Sequence, residues 1–190
     1  KEVEISLKGL PESFDGYRLV HISDIHARSY VARRESLQKV VGMINGMEPD
    51  LIAFTGDLIT LDATELEPVN EILRVLHSKD GIVSVVGNHD YGIYADPSHK
   101  GSLRWILSEV IEEEERMGWN VLMDDNMIIR RGQDSIAVIG VQNTSPSRHF
   151  PSKGNLTQAS AGTEGIFRIL LTHDPMHWEA EVLGKDIPLT

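Results

Sequence analysis

The sequence predicts an α/β fold, and three observations carry that prediction. The chain has 190 residues, of which 41% are hydrophobic and 25% charged, enough for one domain with a real core. Up to residue 111, short apolar runs alternate with segments whose apolar residues recur at helical spacing. That alternation is the pattern of a parallel sheet with crossover helices. Beyond residue 120 the apolar runs are short and divided by turn residues, as in antiparallel strands of a second sheet.

Each element follows from its own pattern. Residues 3–7 alternate apolar and polar around Val3, Ile5 and Leu7, which predicts a half-exposed strand. Gly9 and Pro11 break it, and Asp15-Gly16 marks a turn. Residues 17–23 read as the next strand. Leu37, Val40, Val41, Ile44 and Met47 fall at helical spacing, and Pro49-Asp50 ends that helix. Residues 51–55 form a short buried strand. Leu66, Val69, Ile72, Leu73 and Leu76 mark a second amphipathic helix, 82–86 another strand, and Leu103, Ile106, Leu107, Val110 and Ile111 a third helix. Strands at 121–123, 127–130 and 136–141 are assigned to the second sheet. Residues 142–165 are rich in Ser, Gly, Asn and Thr and read as a long loop. A buried strand at 166–171, a short helix at 176–183 and an apolar run from Ile187 follow. No repeat or linker interrupts the chain, so residues 1–190 read as a single domain.

The bulk numbers narrow the chemistry. A formal charge of −11 argues against a nucleic-acid-binding surface, which needs a basic patch. It suits carboxylates gathered around divalent cations, and equally a generic acidic surface. Cysteine is absent, which excludes disulfides and thiolate metal sites. No apolar run approaches the ~20 residues of a membrane span.

Four apolar runs end in the same kind of residue. HIS is followed by Asp24-Ile25-His26, AFT by Gly56-Asp57, SVV by Gly87-Asn88-His89-Asp90, and LLT by His173-Asp174. One Asp or His at a strand end is ordinarily a turn residue, but four at the same edge are not. In open α/β sheets, ligands sit beyond the carboxyl ends of the strands. Oxygen and nitrogen donors without sulfur suit manganese, iron or zinc. Within a strand, Asp24 and His26 share a side, and Asp57 has two oxygens with which to bridge two ions. Asn88 offers a neutral carbonyl oxygen and His173 an imidazole nitrogen. Two ions about 3.5–4 Å apart can clamp a phosphate. His89 follows Asn88 directly and reaches the same cavity, and Asp90 is placed to hold its second ring nitrogen, a pairing suited to a proton donor.

These motifs, in this order and nearly along the whole chain, resemble the calcineurin-like metallophosphoesterases. The opening LKGLPESFDGYRLVHISDIH and the later ILLTHDPMHW resemble the bacterial phosphohydrolase branch, often membrane-tethered. The resemblance implies a four-layer α/β/β/α sandwich and a hydrolase for phosphomonoesters or phosphodiesters. It implies that Asp24, His26 and Asp57 hold one divalent ion, and Asp57, Asn88 and His173 a second. Manganese is favoured over iron and zinc. A bridging hydroxide would attack phosphorus, with His89 as the acid, supported by Asp90. The family's fifth motif, Gly-His-x-His, is expected after the strand that begins at Ile187, and the sequence stops at Thr190. The expectation is therefore a sandwich incomplete at its C-terminus. The rival expectation is an interaction scaffold on the same fold with impaired catalysis.

The remaining polar residues receive plainer readings. His21 is expected in the core or behind the metal ligands, and His177 at the surface. His77, His99 and His149 have no partner in sequence. Residues 112–115 are four consecutive glutamates, read as a solvated helix face. Trp105, Trp119 and Trp178 are read as core or interface residues, and Tyr91 as packing or touching substrate. Asn155-Leu156-Thr157 matches a glycosylation acceptor too short to weigh. The loops 92–102 and 142–165 are the expected seat of substrate selectivity.

Overall fold

Parallel strands need long crossovers, and the sequence supplies them at three places. A computed structural model describes residues 1–96 and 103–190. Its first sheet holds β1 (Leu19–Ile22), β2 (Leu51–Phe54), β3 (Ile82–Ser84) and β4 (Asn120–Val121), all parallel and in the order 1-2-3-4. The crossovers carry α1 (Arg34–Gly46), α2 (Asn70–Leu73) and α3 (Leu103–Arg116). An order that advances in one direction, with right-handed crossovers, sends every helix to the same face. The other face is left for a second sheet.

That sheet contains β5 (Asp125–Arg131), β6 (Asp134–Gly140) and β7 (Phe167–Leu171). β5 and β6 pair antiparallel through a tight turn at Gly132, and β7 lies parallel to β6. Period-two alternation sorts the side chains into layers. Ile52, Phe54 and Ile82 face the helices, where they meet Leu37, Val41, Ile44, Ile106 and Trp119. Leu51, Ala53 and Val83 face the second sheet and meet Ile136, Val138, Phe167 and Ile169. Ile139 and Leu170 point outward, under α4 (Leu156–Ala159) and a π-helical turn at Trp178–Val182. The result is the expected α/β/β/α layering.

Several elements depart from the sequence reading. Residues 3–7 form no strand, and Val3 and Ile5 are exposed. Alternation chooses a face but does not supply a neighbour for the backbone. β4 belongs to the first sheet, delivered beside β3 by the α3 crossover. The second helix is split into a 3₁₀ turn at Ala63–Leu66 and the short α2. Between them stands Pro68, which has no N–H for a helical bond. The loop 142–165 contains α4, whose Asn155 side chain caps the Gln158 N–H. Glu114, within the glutamate run, is fully buried and accepts from the Ser84 hydroxyl. Burial, then the nearby Asp90 charge, raises its carboxyl well above the usual range. His177 is buried between Thr172 and Glu181, whereas His21 is exposed and bonds the Thr55 hydroxyl. Trp119 is core, while Trp105 and Trp178 are largely exposed. The run from Ile187 does take a strand-like place, with Leu189 bridging Ile169 of β7. Residues 97–102, including His99 and part of the expected selectivity loop, lie outside the described residues.

The end of the sheets opposite the ligand-rich loops is tied by Asp50. Its carboxylate accepts from the Arg18 N–H at 2.7 Å, Lys79 at 2.9 Å and Arg131 of β5 at 2.9 Å. Arg131 also lies over the rings of Phe14 and Tyr17. Burial works against the charge, but these donors prevail and hold the Asp50 carboxyl down at about 2. A lowered carboxyl stabilises the fold fully above its ordinary value near 3.8, and that contribution is lost as pH falls toward 2. Asp50→Asn is therefore expected to cost about 2–3 kcal/mol in urea titrations at neutral pH. The difference between variant and parent should shrink below pH 4.

Candidate metal centre

The loops after β1, β2 and β3 are knitted together by main-chain hydrogen bonds before any ligand is considered. Asp24 and His26 N–H donate to the carbonyls of Gly56 and Asp57, each at 3.0 Å, and Ala27 N–H to Leu58 at 2.8 Å. The Asp90 carboxylate accepts four N–H groups: Asp57 and Gly87 at 2.8 Å, Leu58 at 2.9 Å and Ile59 at 3.2 Å. Two glycines let these loops touch. A Cβ on Gly56 would run into the Gly87 backbone, and one on Gly87 into the Asp57 carboxylate.

Asp57 stands at the middle of the cluster and is only 3% exposed. Its Oδ2 lies 3.4 Å from His173 Nε2, 3.7 Å from His26 Nε2 and 3.9 Å from His89 Nε2. Asp24 Oδ1 lies 3.7 Å from His26 Nε2. Among the described residues, two donor triads emerge, His26–Asp57–His89 and Asp24–Asp57–His173, with donor atoms within 4.8 Å of one another. These gaps exceed an ordinary hydrogen bond. Donors set tetrahedrally about 2.0–2.2 Å from one ion stand about 3.4 Å apart, so the spacing fits shared metal coordination.

The three imidazoles share one device. Each Nδ1 faces a backbone carbonyl: His26 that of Ile59 at 3.2 Å, His89 that of Thr60 at 2.7 Å, and His173 that of Thr55 at 2.7 Å. A carbonyl only accepts, so Nδ1 carries a proton, and in the neutral ring Nε2 is left with its lone pair facing the cluster. Burial alone would raise the Asp57 carboxyl, but the His173 imidazole and the His89 N–H hold it below its ordinary value. Burial opposes the positive form of His173, yet Asp57 raises it to about 9. Apart from an ion, the cluster thus takes up a proton to balance its carboxylates.

Of the site residues expected from sequence, Asp24, His26, Asp57, His89 and His173 come together, by other routes than expected. Asp24 and His26 do not meet through strand alternation. They lie beyond β1 with left-handed backbones, φ 54° and 46°, and Asp57 has φ 58°. Strain of this kind in non-glycine residues clusters at functional sites. The first sheet has no reversal of strand order, so there is no switch-point crevice. The cleft instead lies where the ends of β1–β3 meet β7 of the other sheet. Asp90 does not touch the His89 ring as expected. Its carboxylate goes to backbone N–H groups, because the loop it closes leaves four donors without other acceptors. Burial, then the Asp57 charge, raises Asp90 to about 6 against the pull of those donors. Asn88 donates through Nδ2 to the Tyr94 hydroxyl at 3.4 Å. Tyr91 is buried and donates to Gln142 at 3.1 Å. The sequence reading passed over Tyr94, whose ring lies 4.2 Å from that of His89. An aromatic residue shortly after Asn-His-Asp was the available signal. Asp174 caps the Met176 N–H rather than joining the cluster.

Asp90→Asn separates the two ways in which Asp90 can act. An amide offers one acceptor to four donors, so the variant is expected to lose about 2–3 kcal/mol of stability and to retain less metal. Elemental analysis and thermal unfolding check this. Full metal content with only turnover reduced would place Asp90 with His89 instead.

Comparison with known proteins agrees with this arrangement. Residues 17–188 match the calcineurin-like phosphoesterase family. A "Transmembrane protein with metallophosphoesterase domain" from Danio rerio is 40% identical over 178 residues, 92% of this chain and 38% of that protein. The "Uncharacterized metallophosphoesterase YkuE" of Bacillus subtilis is 39% identical over 182 residues, 95% of this chain and 57% of that protein. The "UDP-2,3-diacylglucosamine pyrophosphatase LpxG" of Chlamydia trachomatis is 34% identical over 101 residues, 51% of this chain and 30% of that protein. The chain spans between about a third and somewhat over half of the length of these relatives. The match across almost all of its length, in line with the donor-rich strand ends, means that this chain belongs to the calcineurin-like phosphoesterase family.

Proposed function

We propose that this chain is the hydrolase domain of a metal-dependent phosphoesterase, acting on phosphomonoesters or phosphodiesters at a dinuclear centre. The observation that carries the reading is Asp57, a buried carboxylate ringed by three Nε2 atoms at 3.4–3.9 Å. Asp57 would be the shared ligand; the family resemblance groups Asp24 and His26 with it on one side and Asn88 and His173 on the other, whereas the donor triads group His26 with His89 and Asp24 with His173. Divalent ions held there, manganese foremost, would supply positive charge to lower the pKa of a water and to offset the negative charge of the phosphoryl oxygens.

The chain's own groups do the rest. The carbonyls of Thr55 and Ile59 fix the rings of His173 and His26, so that each Nε2 stays aimed inward. Asn88, with its amide nitrogen toward Tyr94, keeps its carbonyl oxygen for an ion. His89 is the acid: Nδ1–H is committed to the Thr60 carbonyl, so when the ring is doubly protonated it is the Nε2–H that is free to go to the leaving oxygen. The names of the relatives support a phosphate ester or anhydride as substrate. Among the described residues no helix is long and apolar enough to cross a membrane. Relatives named as transmembrane proteins support membrane association of the whole protein.

Metal content per chain after reconstitution with Mn²⁺ tests the centre. Asp57→Asn is expected to abolish both bound metal and turnover, and full turnover in that variant would overturn the mechanism. His89→Ala is expected to lower turnover by about 10²–10⁴ with metal content nearly unchanged. Because His89 also belongs to a donor triad, a matched loss of metal would assign it as a ligand.

A further inference from the structure

We infer that the outer face of α1, with the turn before it, is a docking surface for an anionic lipid bilayer. Charge is the first ground. Residues 27–40 hold four of the 18 cations, Arg28, Arg33, Arg34 and Lys39, and only one of the 29 acids, Glu35. This segment carries +3 within a chain of −11, which leaves −14 for everything else. All four cations are exposed. Among the described residues none of them joins an ion pair, whereas Arg74, Lys79, Arg116, Arg131 and Arg168 each face an acid.

Their placement runs against local preference. Arg33 occupies the N-cap of α1 without a side-chain cap, and Arg34 is the first helical residue. Cations are unfavourable at the positive end of a helix, where Ser, Thr, Asp or Asn would stabilise it. Glu35 in the first turn is the one acid set against them, and a local rule broken with so little internal compensation points to a role outside the fold.

The second ground is apolar. α1 buries only Leu37, Val41 and Ile44. Val40, Met43 and Met47, at i, i+3 and i+7, stay 41%, 66% and 46% exposed, and Val31 in the preceding turn 44%. That spacing sets the three helix-associated residues along one flank. Lys39 adjoins that flank, four residues before Met43, and the three arginines stand at or before the start of the helix. Cations and an exposed apolar flank on one element suit the headgroup region, where basic side chains meet lipid phosphates and apolar ones enter the acyl boundary. A nucleic acid would use the cations and leave the apolar flank in water.

The flank also leads to the centre. Val40 and Ile44 line a cleft of about 180 Å³ together with Ile22, Ser23, Asp24 and Tyr30. A bilayer seated on α1 therefore stands beside Asp24, and the substrate class becomes the phosphate ester of a membrane amphiphile. That last step rests on the phosphoesterase reading, and the docking does not.

Cosedimentation at low salt tests the surface, using vesicles of phosphatidylcholine alone or mixed with phosphatidylglycerol. The chain is expected to bind the mixed vesicles and not the neutral ones. The triple variant Arg28→Ser, Arg33→Ser, Arg34→Ser should lower the partition coefficient on the order of 100-fold. Val40→Ser with Met43→Ser should weaken binding even where salt has already screened the charges. Both variants should keep the parent's thermal unfolding and metal content, and its rate on the soluble ester p-nitrophenyl phosphate. No binding to mixed vesicles, or undiminished binding by the triple variant, overturns the docking inference and leaves the phosphoesterase reading standing. Capture of duplex DNA through the same arginines without vesicle binding also overturns it. Vesicle binding by a chain that retains no metal would separate the two in the other direction.

Discussion

The end of the molecule that holds the candidate ligands depends on the Asp90 carboxylate. It is fully buried and accepts N–H groups from Asp57, Leu58, Ile59 and Gly87. An ionised carboxylate has about four lone-pair sites, so its capacity is filled by main chain. Burying a charge is tolerable only under such compensation. The same bonds pull the β2 loop against the β3 loop and bring the Asp57 side chain to the His89 N–H. With Asp57 fixed, the Gly56 and Asp57 carbonyls receive the Asp24 and His26 N–H groups. One acid whose carboxylate faces only main-chain donors thereby orders the three loops that carry Asp24, His26, Asp57 and His89.

The layer architecture supplies the fourth direction. Since β1 to β4 run in one order, their helices occupy one face and leave the other to β5–β7. His173, just beyond β7, crosses that interface to bond the Thr55 carbonyl at the end of β2. Asp24, His26 and Asp57 sit in left-handed conformations that cost about 1–2 kcal/mol each outside glycine. Hydrogen bonds between loops hold them there. Stability in this region serves geometry, and the opposite end of the sheets, around Asp50 and Arg131, is tied independently.

Much of this was legible from periodicity and from what ended each run. β1, β2, β3 and β7 are apolar stretches that stop at an acid, an amide or a histidine, and of the residues beyond them the structure brings Asp24, His26, Asp57, His89 and His173 together. The helix of 37–47 was legible because its apolar residues repeat at the helical period. Legibility failed where local pattern carries no partner. A two-residue strand such as β4 has no period, so its sheet was decided by the α3 crossover. Residues 3–7 alternate, yet no strand pairs with them, and the Leu7 carbonyl accepts only within a turn, from the Leu10 N–H. Glu114 was hidden among four glutamates because a charge run does not show which member turns inward. Asp90 follows His89 in sequence, which suggested a side-chain pair. Its real partners are main-chain groups about thirty positions earlier and three positions before, and main-chain donors leave no trace in residue type. The left-handed backbone of Asp24 and His26 was equally silent.

The contact between Gly56 and Gly87 bears on how such a centre could be moved or rebuilt. Neither glycine offers a functional group, yet a single added methyl at either place would collide with the opposite loop or with Asp57. Carrying the acids and imidazoles into another α/β protein would therefore reproduce the donor atoms without their distances. What must be transplanted is a pair of bare backbones at van der Waals contact, and the side chains come second.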